Sequence, residues 1–419
     1  MKNIYIFSII ALLFVSQSYA KKNVILIIPD GCSIPVWSAI RSMTVGTDGS
    51  LNIDKLPIMG RCKTYSANAM VTDSAASGTA YACGQKTNNG VLGMSAATTH
   101  GDSLTGQPIK SILEYAQGHG YATGVITTTM ITHATPAVFY SHRADRDWYE
   151  LIAHDLTTSG IDVIMGGGRD YCIPKGTNDE EGNPSKRTDS RNLISEMKNN
   201  GYVYVHDQVG FNAVNPQNTG KLLCLFNAGH MNYELDRKND KNGEPALWEM
   251  TGKALEILSK DKKGFFLMVE AGRIDHAAHA HETDRFLWDA IACDKTVGVA
   301  ADFARKNKDT LLIVVPDHGT GGPYCVGAYD KNGSVISYDD AGYLKYTLDE
   351  NGFPASDGGK PIAIQWIEWG GHTGEDVGYF AMVNQKSFFG GLFGSKQDII
   401  GGLLDNTDVN KIMHKFYGF

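Results

Sequence analysis

Val24-Ile25-Leu26-Ile27-Ile28, followed by Pro29-Asp30-Gly31, decides how this chain is read. A continuous apolar run without polar alternation fits a strand buried on both faces of a sheet. The Pro-Asp-Gly that follows is a turn signal, and it leaves an acid just past the strand's carboxyl end. The same plan recurs. Tyr121 to Thr127 leads to Thr128-Thr129 and then His133-Ala134-Thr135-Pro136. Phe265-Phe266-Leu267-Met268-Val269 ends at Glu270, and Leu311-Leu312-Ile313-Val314-Val315 ends at Pro316-Asp317-His318. Helical patterns lie between, such as Ile109 to Gln117 and Phe286 to Lys306. Alternating strand and helix predicts an α/β fold, a three-layer sandwich with a mostly parallel central sheet flanked by helices. Sites in such sheets form beyond the carboxyl ends of the strands. Asp30, Glu270, Asp317 and His318 all stand there.

The chain has 419 residues, 42% hydrophobic and 20% charged, an ordinary globular composition. Residues 1–20 read as a signal peptide. Lys2 is the basic start, Ile4 to Val15 the apolar stretch, and Ser18-Tyr19-Ala20 a small-x-small cleavage site. The apolar run is shorter than the ~20 residues a membrane span needs. An exported protein, periplasmic or extracellular, with no stable membrane anchor after cleavage is the expectation. Residues 21–419 read as a single α/β domain. Loop-rich insertions near 171–221 and 320–370 interrupt it, the second carrying Tyr324, Tyr338, Tyr343 and Tyr346 as a cap on the site. Loss of Lys2 would take the formal net charge from −8 to −9. An acidic exported chain argues against a nucleic-acid-binding module. An anionic substrate would need a local positive field, for which metal ions are the obvious source. The seven cysteines (Cys32, Cys62, Cys83, Cys172, Cys224, Cys293 and Cys325) form no CxxC pair, and their number is odd. In an oxidising compartment at least one stays unpaired within the chain, and the pairing of the others is open. Gly166-Gly167-Gly168-Arg169 lacks the Lys-Ser/Thr of a phosphate loop and reads as a tight turn after a strand.

The nucleophile candidate lies in Val71-Thr72-Asp73-Ser74-Ala75-Ala76-Ser77-Gly78-Thr79-Ala80. Small neighbours let a charged group approach the Ser74 hydroxyl, and a helix starting there would aim free N–H groups at an anion. A serine needs a base or a metal to activate it. Ile274-Asp275-His276-Ala277-Ala278-His279 places Asp275 and His279 four apart, on one helix face, where both can reach one zinc ion. Gly371-His372-Thr373-Gly374 adds a loop histidine. Each signal alone is weak. Together, four acids (Asp30, Glu270, Asp275, Asp317) and three histidines (His279, His318, His372) gather at or just beyond strand ends. Such carboxylates repel one another unless cations offset them.

Taken in order, these motifs resemble the alkaline phosphatase family over nearly the whole length after residue 20. The resemblance implies that Asp275, His279 and His372 hold one zinc. Asp30, Asp317 and His318 would hold a second, which also activates Ser74. Asp30, Thr135 and Glu270 would hold magnesium, with His133 beside it. Arg146, in Arg143-Ala144-Asp145-Arg146-Asp147, would grip two phosphoryl oxygens. Asp73 and His276 would complete the substrate contacts, and Arg143 is an alternative to Arg146. Two positions depart from the best-studied bacterial pattern. His133 stands where an acid usually lies, and His276 where a lysine usually lies, as in the animal-type enzymes. Imidazole suits zinc or cobalt better than magnesium, which leaves the third metal open. The implied reaction is hydrolysis of small phosphate monoesters through a phosphoserine on Ser74, in a homodimer. Alternatives are a phosphodiesterase or sulfatase on the same scaffold, or a non-catalytic phosphate- or zinc-binding protein. The Cys-or-Ser-x-Pro-x-Arg sequence of sulfatases is absent after Ser74.

Overall fold

The computed structural model describes residues 21–329, 334–336, 348–354, 362–383 and 402–419. The leader read at 1–20 and three of the four tyrosines of the proposed cap, Tyr338, Tyr343 and Tyr346, lie outside the described residues. The strands are β1 (Lys22–Ile28), β2 (Ile58–Lys63), β3 (Ala122–Met130), β4 (Val163–Gly167), β5 (Val203–Val205), β6 (Leu222–Leu225), β7 (Gly264–Glu270) and β8 (Thr310–Val314). After them come β9 (Gly319–Thr320), β10 (Tyr324–Tyr329), β11 (Val335–Ile336), β12 (Ile362–Gln365), β13 (His372–Thr373), β14 (Val377–Val383) and β15 (Leu403–Asp405).

Ten of these form one sheet in the order β15-β2-β14-β8-β1-β7-β3-β4-β6-β5. Pairing is parallel except at β14, which runs antiparallel to both β2 and β8. Side chains of β1 divide by parity. Val24, Leu26 and Ile28 enter one core with Phe266 and Met268, while Ile25 and Ile27 enter the other with Phe265, Leu267 and Val269. A sheet apolar on both faces needs a helical layer on each. Helices Ile34–Thr44, Leu247–Leu258 and Thr283–Lys306 cover one face. Helices Ser74–Cys83, Ile112–Gly118 and Asn406–Tyr417 cover the other. The three-layer arrangement read from the apolar runs is therefore the arrangement found.

Register sets the floor of the site. Ile28 pairs with Glu270, and Glu270 pairs with Thr127, so β1 and β7 end level with one another while β3 runs three residues further, to Met130. The segment 171–221 supplies the helix Leu193–Asn199 and β5, the edge strand of the large sheet. Within 320–370, β10 and β12 join β11 in a small antiparallel sheet. β13 pairs with β9, which brings His372 opposite Thr320. The turn after β4 is tight as read: Gly168 has φ +93°, and Arg169 follows fully buried, its Nε donating to Asp179 Oδ2 at 2.9 Å. All seven cysteines are free thiols, six of them buried. No helix among the described residues is long and apolar enough to cross a membrane.

Candidate functional site

Asp73 begins the helix that carries Ser74. It is extended (φ −102°, ψ 172°), and its carboxylate accepts from the N–H groups of Ala76 and Gly90, each at 2.9 Å. That N-cap fixes the start of the helix at Ser74. All ten residues of Ser74–Cys83 are buried. Their small size has a packing cause as well: a Cβ on Gly78 would meet Val138 Cγ2 at 3.0 Å. Ser74 Oγ lies 3.1 Å from His318 Nε2.

Among the described residues, three groups could hold a metal ion, each with ligand atoms within 4.8 Å of one another, and the second contains His318, the neighbour of Ser74. The first is Asp275, His279 and His372. The helix Arg273–His279 stacks Asp275 and His279 as the spacing predicts, with Asp275 Oδ2 3.3 Å from His279 Nε2. His279 Nδ1 faces the carbonyl of Gly370 at 2.5 Å, and His372 Nδ1 faces that of Thr72 at 2.8 Å. A carbonyl only accepts, so both Nδ1 atoms carry the proton. The two Nε2 atoms meet at 3.1 Å beside the Asp275 carboxylate, where a proton on His279 Nε2 pairs with Asp275 Oδ2. A proton or a cation between them relieves that contact.

The second group is Asp30, Asp317 and His318, all without solvent exposure. His318 Nε2 is 3.2 Å from Asp317 Oδ2 and 3.6 Å from Asp30 Oδ1. Gly31 N donates to Asp317 Oδ1 at 3.2 Å, which ties the β1 turn to the β8 turn. The third group is Asp30, His133 and Glu270. Thr135 Oγ1 donates to Asp30 Oδ2 at 3.2 Å, and Thr127 donates to Glu270. Asp30 thus belongs to two groups at once.

Electrostatics mark the same residues. Burial pushes Asp30 well above the usual carboxylate range, and the carboxylates of Asp317, Asp275 and Glu270 push it further. Burial also raises Glu270 to about 7 and Asp317 to about 6. Burial would raise Asp275 too, but the hydrogen bond from His279 and the nearby imidazoles hold it well below its ordinary value. Burial lowers His318 and His372 to about 4, so both rings are neutral at neutral pH. Asp30 Oδ1, Asp317 Oδ2, Glu270 Oε1 and His133 Nδ1 are buried without a hydrogen-bond partner. Orphaned acceptors on crowded acids fit cations: carboxylate oxygens and imidazole nitrogens are the donors zinc and magnesium take.

Arg146 Nη1 is 3.0 Å from Asp73 Oδ2, and Nη2 is 3.3 Å from His133 Nε2. The alternative, Arg143, is committed elsewhere: its guanidinium pairs with Asp155, with Nε to Oδ2 at 2.8 Å. His276 lies on the same wall as His133, ring centroids 5.4 Å apart. Sequence reasoning missed His230, which stands 4.4 Å from the His276 ring and 5.5 Å from that of His133. Nothing in Gly229-His230-Met231 marks it. It missed Arg273 as well, whose Nη1 donates to His276 Nδ1 at 2.7 Å and whose guanidinium lies 3.7 Å above the Tyr233 ring. That pair was readable, because residues three apart on a helix are neighbours. Thr320, two positions beyond His318, donates to Asp275 Oδ1 at 2.6 Å.

Comparison with known proteins places this geometry. The family model described as "Alkaline phosphatase" matches residues 21–345. The tissue-nonspecific alkaline phosphatase isozyme of Rattus norvegicus is 38% identical over 349 residues, which are 75% of this chain and 66% of that relative. The chain thus matches slightly less than two thirds of that protein's length. The solved alkaline phosphatase of Thermus thermophilus is 28% identical with a TM-score of 0.76, covering 96% of this chain and 92% of its own. That of the Antarctic bacterium TAB5 is 28% identical with a TM-score of 0.74, covering 95% and 99%. Two mutants of the TAB5 protein, a histidine changed to aspartate or to glutamate, have magnesium bound in the M3 site. With sequence and fold agreeing over the segment that carries Asp30, Ser74, Glu270, Asp275 and His318, this chain belongs to the alkaline phosphatase family.

Proposed function

We propose that this protein is an exported alkaline phosphatase, hydrolysing small phosphate monoesters through a phosphoserine on Ser74. The observation that carries the reading is the placement of Ser74 Oγ. It sits at the start of a capped, buried helix, 3.1 Å from His318 Nε2, with Arg146 held alongside by Asp73. Asp275, His279 and His372 would hold one zinc ion, and Asp30, Asp317 and His318 a second. Asp30, Glu270, Thr135 and His133 would hold magnesium, or zinc or cobalt. The magnesium in the M3 site of the TAB5 histidine-to-acid mutants supports a third site whose metal depends on its ligands. Bound cations supply Lewis acidity and positive charge at the serine and at the leaving oxygen.

The chain's own residues do the rest. Ser74 Oγ attacks phosphorus, the Oγ–P bond forms as the ester P–O bond breaks, and the proton lost by the serine hydroxyl reaches the leaving oxygen through solvent. The alcohol leaves on the far side, and water then splits the phosphoserine in a second displacement. Arg146 offers a planar fork that matches two phosphoryl oxygens. Asp73 sets the plane of that fork and the start of the nucleophile helix together, because one carboxylate serves both. The helix start adds N–H groups and a positive dipole end on the phosphoryl side. A charge surplus built from cations and four acids favours a dianionic monoester over a singly charged diester. A homodimer and export through the leader at 1–20 complete the proposal.

The direct test is hydrolysis of p-nitrophenyl phosphate by the protein lacking residues 1–20. It is run with and without chelator, restoring zinc and magnesium separately. Loss on chelation and full recovery only with both metals is the expected result. Turnover of bis-p-nitrophenyl phosphate in preference to the monoester would replace this reading with a diesterase.

A further inference from the structure

His133 belongs at once to two arrangements. Its ring is grouped with Asp30 and Glu270 as a potential cation ligand, all three buried. Its Nε2 is also 3.3 Å from Arg146 Nη2. A guanidinium has donors only, so in that contact Nε2 must accept. A neutral imidazole has a single in-plane lone pair. With Nε2 accepting, the ring proton sits on Nδ1, and Nδ1 is buried with no partner.

A cation can reach the ring in two ways. Taken at Nε2, it uses the lone pair that Arg146 now occupies. Taken at Nδ1, it forces the proton onto Nε2, which then meets an Arg146 N–H donor against donor. Both ways break the same hydrogen bond. We propose that a cation on His133 and the Arg146–His133 hydrogen bond exclude one another, so that filling the third ligand group frees the Nη2 edge of Arg146 for a phosphoryl oxygen.

Arg146 therefore has a parked state and a released state. In the parked state it is held at both ends, by Asp73 Oδ2 at 3.0 Å and by His133. In the released state Asp73 alone holds it, and the other edge faces the position of the phosphoryl group. By linkage, third-site metal and phosphate then each tighten the binding of the other. The same carboxylate, Asp73, keeps the guanidinium from swinging away once His133 lets go. This inference rests on the phosphatase reading for the identity of the anion, but the exclusion itself is a property of His133 and Arg146.

The test has two arms, neither of which reads turnover. Crystal structures of the zinc-loaded protein, without phosphate, are determined with and without magnesium. Arg146 Nη2 and His133 Nε2 are expected to be hydrogen-bonded without magnesium and separated with it. Magnesium affinity is then measured by calorimetry on the zinc-loaded wild type and on Arg146→Lys, which keeps the positive charge but loses the fork. Release of the competing bond is expected to tighten magnesium by roughly three- to tenfold in the variant. A hydrogen bond that persists with the third site filled, or unchanged magnesium affinity in Arg146→Lys, overturns the proposal. Failure of the phosphatase reading shows separately, as absent monoester turnover in a protein whose Arg146–His133 contact still responds to magnesium.

Discussion

Ser74 Oγ stands 3.1 Å from His318 Nε2, and both groups are buried. The serine is also the first residue of a helix in which alanine is the preferred occupant by propensity. Ser74→Ala is therefore expected to keep the fold while removing the hydroxyl proposed to form the phosphoenzyme. Monoester turnover should fall at least about a thousandfold, with an unchanged melting temperature and no acid-stable phosphate label on the protein. Retained turnover would place the nucleophile elsewhere.

Arg146 and Arg143 separate cleanly. If Arg146 grips the phosphoryl group as proposed, Arg146→Ala should lose charged hydrogen bonds worth about 3 kcal/mol together, near a hundredfold in kcat/KM. Arg143 pairs with Asp155 at a partly exposed position, where such a pair contributes about 1 kcal/mol. Arg143→Ala should lower the melting temperature slightly and leave kcat/KM for p-nitrophenyl phosphate near wild type. The reverse pattern would exchange their roles.

Gly31 controls the approach of the first strand's turn to Asp275, in the first group of potential metal ligands. Its φ is +68°, and a Cβ there would lie 2.7 Å from Asp275 Oδ1 and 2.9 Å from Asp275 Cα. Gly31→Ala should cost about 2–3 kcal/mol in stability. The displaced Asp275 should lower the bound zinc measured by elemental analysis. Full zinc content in a stable variant would show that the turn can relax.

Removal of metals should expose the cost of the acid cluster, with a definite sign in pH. Burial raises Glu270 to about 7 and Asp317 to about 6, above their unfolded values, so the folded metal-free chain holds protons that the unfolded chain has released. Stability is then lost as pH rises from about 4 through about 7, and the loss is complete above that. Because the buried neutral imidazoles His318 and His372 shift stability the opposite way over the same pH range, the acids are isolated by substitution: Glu270→Gln with Asp317→Asn should stabilise the metal-stripped protein more at about pH 8 than at about pH 6. Zinc and magnesium together should restore more stability at the higher pH. The same stability gain from the double substitution at both pH values would contradict the clustering.

What the sequence disclosed follows from burial. β1, β3, β7 and β8 are hydrophobic on both faces, so their runs are continuous and their carboxyl ends are easy to place. The acids and histidines at those ends were legible for the same reason. β2 was not: its burial alternates around Gly60 and Arg61, and β15 pairs beside it as a short edge. β5, with Val203 exposed, gives too few apolar residues to stand out from its loop. His230 escaped because its neighbours His133 and His276 lie far away in the chain and no local pattern links them. Arg143 and Arg146 could be separated only by their partners, Asp155 and Asp73, which spacing does not reveal.

The helix Ser74–Cys83 has no exposed residue, whereas His279 is more than a third exposed and His372 is only partly covered. The two sides of the site are therefore expected to open separately. Amides of Ser77 to Cys83 have no local route to water and should exchange with deuterium only through global opening, at the slowest rates in the protein. The turn that carries His279 toward Gly370 can breathe by itself. Adaptation to cold or heat would then accumulate around His279 and His372, because a change in the nucleophile helix taxes the stability of the whole fold.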